Sequence, residues 1–303
     1  MKRQSQPRHI SILHRLRNRA KDENLPPKSI LPYYGMECFL HRLSNSKYRS
    51  KFILKGGLIF NALNIPDRRS TRDIDFRGFV DNDVDTVVQI VKEICSIPVE
   101  EDGVEFDTDS MKAEQIMLDT NYEGVRIRLI AYLGKARINL QLDFSFVEVI
   151  NPEVVALEYP TLLETPSINI LGYPLETVIA EKLETMVRRS EFNSRQKDFY
   201  DLWLLSKTSS FSGSILLEAI TETFEYRGTA IPKGTITALS EDFARQFQKD
   251  WSVFVDREGL LDPDLDDLSV ELADIRLFLL PALQAASRAD AFETAWIPGG
   301  PWS

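Results

Sequence analysis

Residues Leu54–Phe76 read LKGGLIFNALNIPDRRSTRDIDF. The stretch passes from an apolar run through Gly56-Gly57 into another apolar run, then through Arg68, Arg69 and Arg72 to Asp73-Ile74-Asp75-Phe76. In a strand, residues two apart share a face. Asp73 and Asp75 are therefore expected to project together, with Ile74 and Phe76 entering a core. Two carboxylates that close repel each other unless positive charge lies between them. A hard divalent cation meets that need, and Mg²⁺ takes oxygen ligands from a few carboxylates together with substrate phosphates. A third acid is available in Asp143, on the polar side of the apolar strand ARINLQLDFSF.

The glycine pair sits where a strand, KFILK, gives way to a helix, GLIFNAL. Such a junction points backbone N–H groups at one spot, and a chain without Cβ atoms lets a phosphate approach closely. The spacing is neither that of a P-loop nor that of a dinucleotide fingerprint. Taken alone, Asp-x-Asp reads as a solvated strand face and Gly-Gly as a plain turn. It is their order, with Asp143 downstream, that points to a site.

The 303 residues carry 43% hydrophobic and 27% charged side chains and a net charge of -10. This is the composition of a soluble globular protein. An acidic chain binds nucleic acid only if its cations are gathered locally. Here they are gathered in KRQSQPRH, HRLRNRAK and HRLSNSKYRSK near the N-terminus, read either as a solvated helix face or as a patch for an anionic partner. Cys38 and Cys95 form no Cys-x-x-Cys, and His9, His14 and His41 all precede the motif, so neither a thiolate metal site nor a histidine-based site is expected. The basic opening has no long apolar run and no stretch approaches a membrane span, so the expected location is the cytoplasm.

Along the chain, residues 1–50 read as a helical lead-in, with Ile10, Leu13, Leu16 and Ala20 as the apolar stripe of the first helix. Residues 51–172 alternate strands and helices, including a hairpin turned at Gly134-Lys135. The Pro-containing segment 151–172 reads as an irregular joint. Residues 173–303 are dominated by helical patterns, except the tail AWIPGGPWS. In PLETVIAEKLETMVRRS, Lys182 falls on the apolar stripe of Leu175, Val178, Ile179, Leu183 and Met186. Asp198 lies on the apolar arc of the following helix, with Asp201 at its edge. An inward lysine and an inward aspartate on consecutive helices indicate a lined cleft or an inter-helix ion pair, and the two readings are compatible.

These ordered motifs, FILKGGLIFNAL, RRSTRDIDF, LDFSF, ETVIAEKLETMVRR and RQKDFYDLWLL, resemble the AbiEii/AbiGii-type (MenT-like) nucleotidyltransferase toxins of type IV toxin–antitoxin and abortive-infection systems. The similarity covers roughly residues 8–206 and, more weakly, the tail. It implies an α+β fold: a DNA polymerase β-like nucleotidyltransferase core, a mixed sheet flanked by helices, with N-terminal helices and a C-terminal helical subdomain. It implies that Lys55, Gly56 and Gly57, with Arg68 and Arg69, meet the nucleotide, and that Asp73, Asp75 and Asp143 hold two Mg²⁺ ions. Lys182 matches the family's phosphate-facing base and Asp198 its later acid. The implied reaction moves an NMP from an NTP to an acceptor hydroxyl, the family's better-understood acceptor being the 3′ end of tRNA, which blocks translation. A cognate antitoxin encoded nearby is implied, and no membrane. Two features depart from the pattern: Gly57 stands where serine is common in the wider superfamily, and fifteen residues separate Gly57 from Asp73. A non-catalytic nucleotide- or partner-binding protein is the rival reading, and a small-molecule or protein acceptor is the variant that keeps the chemistry.

Overall fold

The computed structural model describes residues 8–22, 29–99, 102–118, 122–146, 150–163 and 167–303. Of the basic opening, residues 2–7 lie outside them. Two compact units are present. The first comprises residues 1–64, 70–148 and 155–172, and the second residues 65–69, 149–154 and 173–303.

The first unit is built on a sheet of strands β1 (Phe52–Lys55), β2 (Ile74–Gly78), β3 (Val104–Leu118), β4 (Tyr122–Leu133), β5 (Ala136–Ser145), β6 (Val155–Tyr159) and β7 (Ile168–Gly172), in the order β3-β4-β5-β2-β1-β7-β6. β1 runs parallel to β7 and β2 parallel to β5, while the other pairings are antiparallel, so the sheet is mixed as expected. Helices α1 (Arg8–Asp22), α2 (Ile30–Ser44), α3 (Leu58–Ala62) and α4 (Val84–Cys95) belong to the same unit. Asp83 caps α4 by accepting from the Thr86 N–H.

Alternation explains the core. On one face of β2 and β5, Phe76 and Phe144 stack with centroids 5.5 Å apart, Phe52 of β1 joins them, and Phe39 of α2 packs on Phe76. Burial of such rings is worth about 2 kcal/mol each. It also fixes the register: a slip of one residue would send these rings to the opposite face.

Two expectations change, and one long strand is added. The segment 151–172 is not an irregular joint, because it holds β6 and β7, whose Leu157, Tyr159, Ile168 and Ile170 are buried. β7 lies next to β1 and β6 forms the edge beyond it, and both are only five residues long, too short to signal themselves by period. The acidic-looking stretch from Val104 forms the long edge strand β3, with its register shifted between Asp107 and Lys112. In α1 the buried stripe is Ile12, Leu16 and Ala20, while Ile10 is exposed.

The second unit packs helices α5 (Leu175–Arg189), α6 (Gln196–Thr208), α7 (Gly213–Arg227), α8 (Glu241–Glu258) and α9 (Leu268–Arg288), with the short pair β8 (Phe211–Ser212) and β9 (Ala295–Trp296). The tail is tied down. Trp296 donates its indole N–H to Ser206 O at 2.8 Å, Trp302 donates to Phe278 O at 2.8 Å, and Trp302 stacks on Phe278.

Glu37 on α2 is buried, and its Oε2 accepts from the Leu162 N–H at 2.7 Å. Burial pushes its carboxyl up to about 8, against the Leu162 hydrogen bond, with Asp102 adding to the rise. The native state therefore keeps a proton that the unfolded chain releases near pH 4.3, and stability falls as pH rises between those values. Glu37→Gln keeps an acceptor for Leu162 and removes this dependence. Thermal melts should show the variant more stable than the parent at about pH 8, by on the order of 2 kcal/mol, with the gap closing toward about pH 5.

Candidate active site

The site in the first unit is a lateral row. Lys55 is opposite Asp75, Asp75 opposite Asp143, and Asp143 opposite Arg126, across β1, β2, β5 and β4. Laterally paired residues point to the same side of a sheet. The row thus reads cation, carboxylate, carboxylate, cation on the face opposite the phenylalanine stack. Asp73 is not inside β2 but immediately before it. One oxygen each from Asp73, Asp75 and Asp143 lies within 4.8 Å of the others, and among the described residues this is the one cluster of three or more such groups. Three carboxylates against two cations leave a local excess of negative charge.

Asp143 is the most enclosed of the three, with a side chain 6% exposed. Arg126 clamps it: Nε–H donates to Oδ1 at 2.8 Å and Nη2–H to Oδ2 at 2.6 Å. Gln141 also donates to Oδ2, at 3.2 Å. The hydrogen bond to Asp143 holds the Arg126 guanidinium above its usual pKa. Arg126 escapes sequence reading because VRIRLIAYL offers two arginines in alternation, and only the β4–β5 register shows which one stands opposite Asp143.

The glycine turn touches this row. Gly56 has φ +67°, and a Cβ there would lie 2.0 Å from Asp75 Oδ2. Gly56 is required on two counts, backbone conformation and contact with the carboxylate. A Cβ on Gly57 would lie 2.3 Å from Thr71 Oγ1, and Thr71 donates its backbone N–H to Tyr33 Oη at 2.8 Å. The helix that follows, α3, is only five residues long. A helix of that length carries little macrodipole, so close backbone approach remains as what the turn offers an anion.

The other sequence-selected residues fall in the second unit. Lys182 donates to Asp198 Oδ1 at 2.6 Å and to Asp201 Oδ2 at 2.8 Å. Arg195 donates to Asp198 Oδ2 at 2.5 Å. Arg69 grips Asp201 with both arms of its guanidinium, at 2.9 and 2.8 Å. Both aspartates are fully buried. Burial pushes the Asp198 carboxyl up, but Lys182 and Arg195 outweigh it and hold the group well below the usual carboxylate range. Asp201 is likewise lowered against its burial, by Arg69 and Lys182. The expected inter-helix ion pair is present, enlarged to five charges. Arg69 is committed to this network, its side chain only 11% exposed. Arg68 is exposed and donates to Ile65 O at 3.0 Å.

Oxygen-only donors, closely spaced and partly enclosed, suit a hard divalent cation. No helix among the described residues is long and apolar enough to cross a membrane.

Two solved structures from Helicobacter pylori share the fold. A candidate nucleotidyltransferase is matched at TM-score 0.50 and 16% identity, over 88% of this chain and 100% of that one. The protein JHP933 is matched at TM-score 0.50 and 16% identity, over 87% of this chain and 94% of that one. No curated protein matches the chain. The model of the AbiEii nucleotidyltransferase toxins of type IV toxin–antitoxin systems matches residues 38–286, most of the sequence and all three acids of the cluster, and the chain belongs to that family.

Proposed function

We propose that the protein transfers a nucleoside monophosphate from an NTP to the 3′-terminal hydroxyl of tRNA, releasing pyrophosphate and stopping translation or phage growth. Membership of a nucleotidyltransferase toxin family supports the enzyme class, the NTP and an antitoxin partner. The observation that carries the site is the convergence of Asp73, Asp75 and Asp143 beside the Gly56 turn. Two Mg²⁺ ions bound there would supply charge neutralisation at the triphosphate and a lowered pKa for the acceptor hydroxyl. Asp73 and Asp75 hold them, and Asp143 contributes through what Arg126 leaves of its carboxylate. Gly56 and Gly57 admit the phosphates close to the backbone, with Lys55 and Arg68 as cations for them. Catalysis of this kind is positioning and charge stabilisation.

Lys182 and Asp198 enter as a buried pair. An ammonium has three N–H donors. Two go to Asp198 and Asp201, which leaves one for a phosphate oxygen. Asp198 then orients Lys182. Arg69, bonded to Asp201, serves in this reading as support for that network.

For tRNA, α1 offers a local basic surface on an acidic chain, with Arg8, Arg15, Arg17, Arg19 and Lys21 all exposed. The second reading, nucleotide binding without transfer, is favoured by one observation: Arg126 already neutralises Asp143. Divalent-dependent pyrophosphate release with total tRNA and each NTP separates the two. Small-molecule or protein acceptors are separated by the size of the labelled product.

Asp73→Asn combined with Asp75→Asn should abolish transfer of α-labelled NTP into RNA while leaving the thermal melt intact. Labelling at the parent rate would reject the metal role. Charge reversal of Arg15, Arg17 and Arg19 should weaken tRNA binding and lower the slope of log affinity against log salt by about one per lost phosphate contact. An unchanged slope would remove α1 from the interface. Lys182→Met leaves two buried carboxylates short of a cation and should cost about 3 kcal/mol in denaturant unfolding. Because the Asp198 and Asp201 values are lowered, the network's stabilisation is complete above about pH 4 and fades as pH falls through the lowered values. The parent and Lys182→Met stabilities should therefore converge in acid.

A further inference from the structure

The Asp143 carboxylate accepts three hydrogen bonds. Oδ1 accepts from Arg126 Nε, and Oδ2 accepts from Arg126 Nη2 and Gln141 Nε2. A carboxylate offers about four lone-pair sites. One site is left. Arg126 is anchored by its place opposite Asp143 in the β4–β5 ladder, and its side chain is 28% exposed, so it has room to stay charged and room to yield. Its neighbour in the same ladder, Gln141, is uncharged and adds no competing charge.

We infer that Arg126 is a positioning residue that acts as a resident cation of the acid cluster, holding Asp143 in place and competing with a divalent ion for its carboxylate. The inference rests on reading the cluster as a metal centre. Three consequences follow from the geometry. Asp143 has one lone pair for an ion and reaches it through a single oxygen. Asp73 and Asp75 supply the remaining protein ligands. A free dication meets the repulsion of Arg126, whereas the same ion carried by a triphosphate arrives with net negative charge and does not. Metal loading is thereby coupled to nucleotide binding, which keeps the free enzyme from filling its centre with whichever divalent ion is abundant.

The test uses Mn²⁺ alone as probe, titrated into the full chain without nucleotide, with free Mn²⁺ read by electron paramagnetic resonance. Arg126→Gln should bind Mn²⁺ about tenfold more tightly than the parent, since a unit charge a few ångströms from a dication is removed. Arg126→Lys keeps the charge and should stay within about twofold of the parent. Arg126→Met serves if Arg126→Gln does not fold, and thermal melts report on all three. Equal or weaker binding by the charge-removed variants, or tightening by Arg126→Lys to the same extent, overturns the inference. It would mean that Arg126 only props Asp143. The metal-centre reading is checked separately. Asp73→Asn with Asp75→Asn should lose Mn²⁺ binding, and retention at the parent affinity would reject that reading whatever the Arg126 variants do.

Discussion

Two carboxylates, Asp75 and Asp143, sit side by side on adjacent parallel strands, and Asp73 stands next to them. Like charges directly opposite in a sheet are destabilising. The sheet tolerates them because the row ends in a cation on each side, Lys55 and Arg126. The repulsion is also met by what lies beneath: Phe52, Phe76 and Phe144 bind the same three strands together from the other face. The apolar side of β1, β2 and β5 thus holds in register a polar side that would otherwise push itself apart. Stability and chemistry are carried by alternate residues of the same strands.

The second unit solves a related problem differently. Asp198 and Asp201 are buried among helices, where an unpaired charge is costly. Three cations, Lys182, Arg69 and Arg195, surround two anions there, leaving one positive charge in excess. The acid cluster of the first unit is left negative and the ion network of the second is left positive.

Much of this was legible in the sequence, because it depends on local spacing. Asp73-Ile74-Asp75-Phe76 and the alternation of Ile138, Leu140, Leu142 and Phe144 state which residues face together. Lys182 stands out because it interrupts a helical stripe. Arg126, by contrast, is one of two arginines in an alternating strand, and its partner lies 17 residues away. The pairing of Arg69 with Asp201 spans 132 residues. No local period records such a contact. The strands β6 and β7 were missed for another reason: five-residue segments between prolines carry too few alternations to show a period. Ile10 and Ile12 each fit a helical stripe, and only packing selects Ile12.

The row across β1, β2, β5 and β4 has a consequence for how the length of this chain can vary. A single residue inserted within β2, ahead of Asp75, would turn that carboxylate onto the apolar face and Phe76 onto the polar one, while the neighbouring strands kept their own parity. Insertions in pairs would preserve the facing but shift Asp75 along its neighbour, away from Gly56. Gains and losses of length are therefore confined to the fifteen residues between Gly57 and Asp73 or to the turns beyond the row, and that is where this chain carries its long connection.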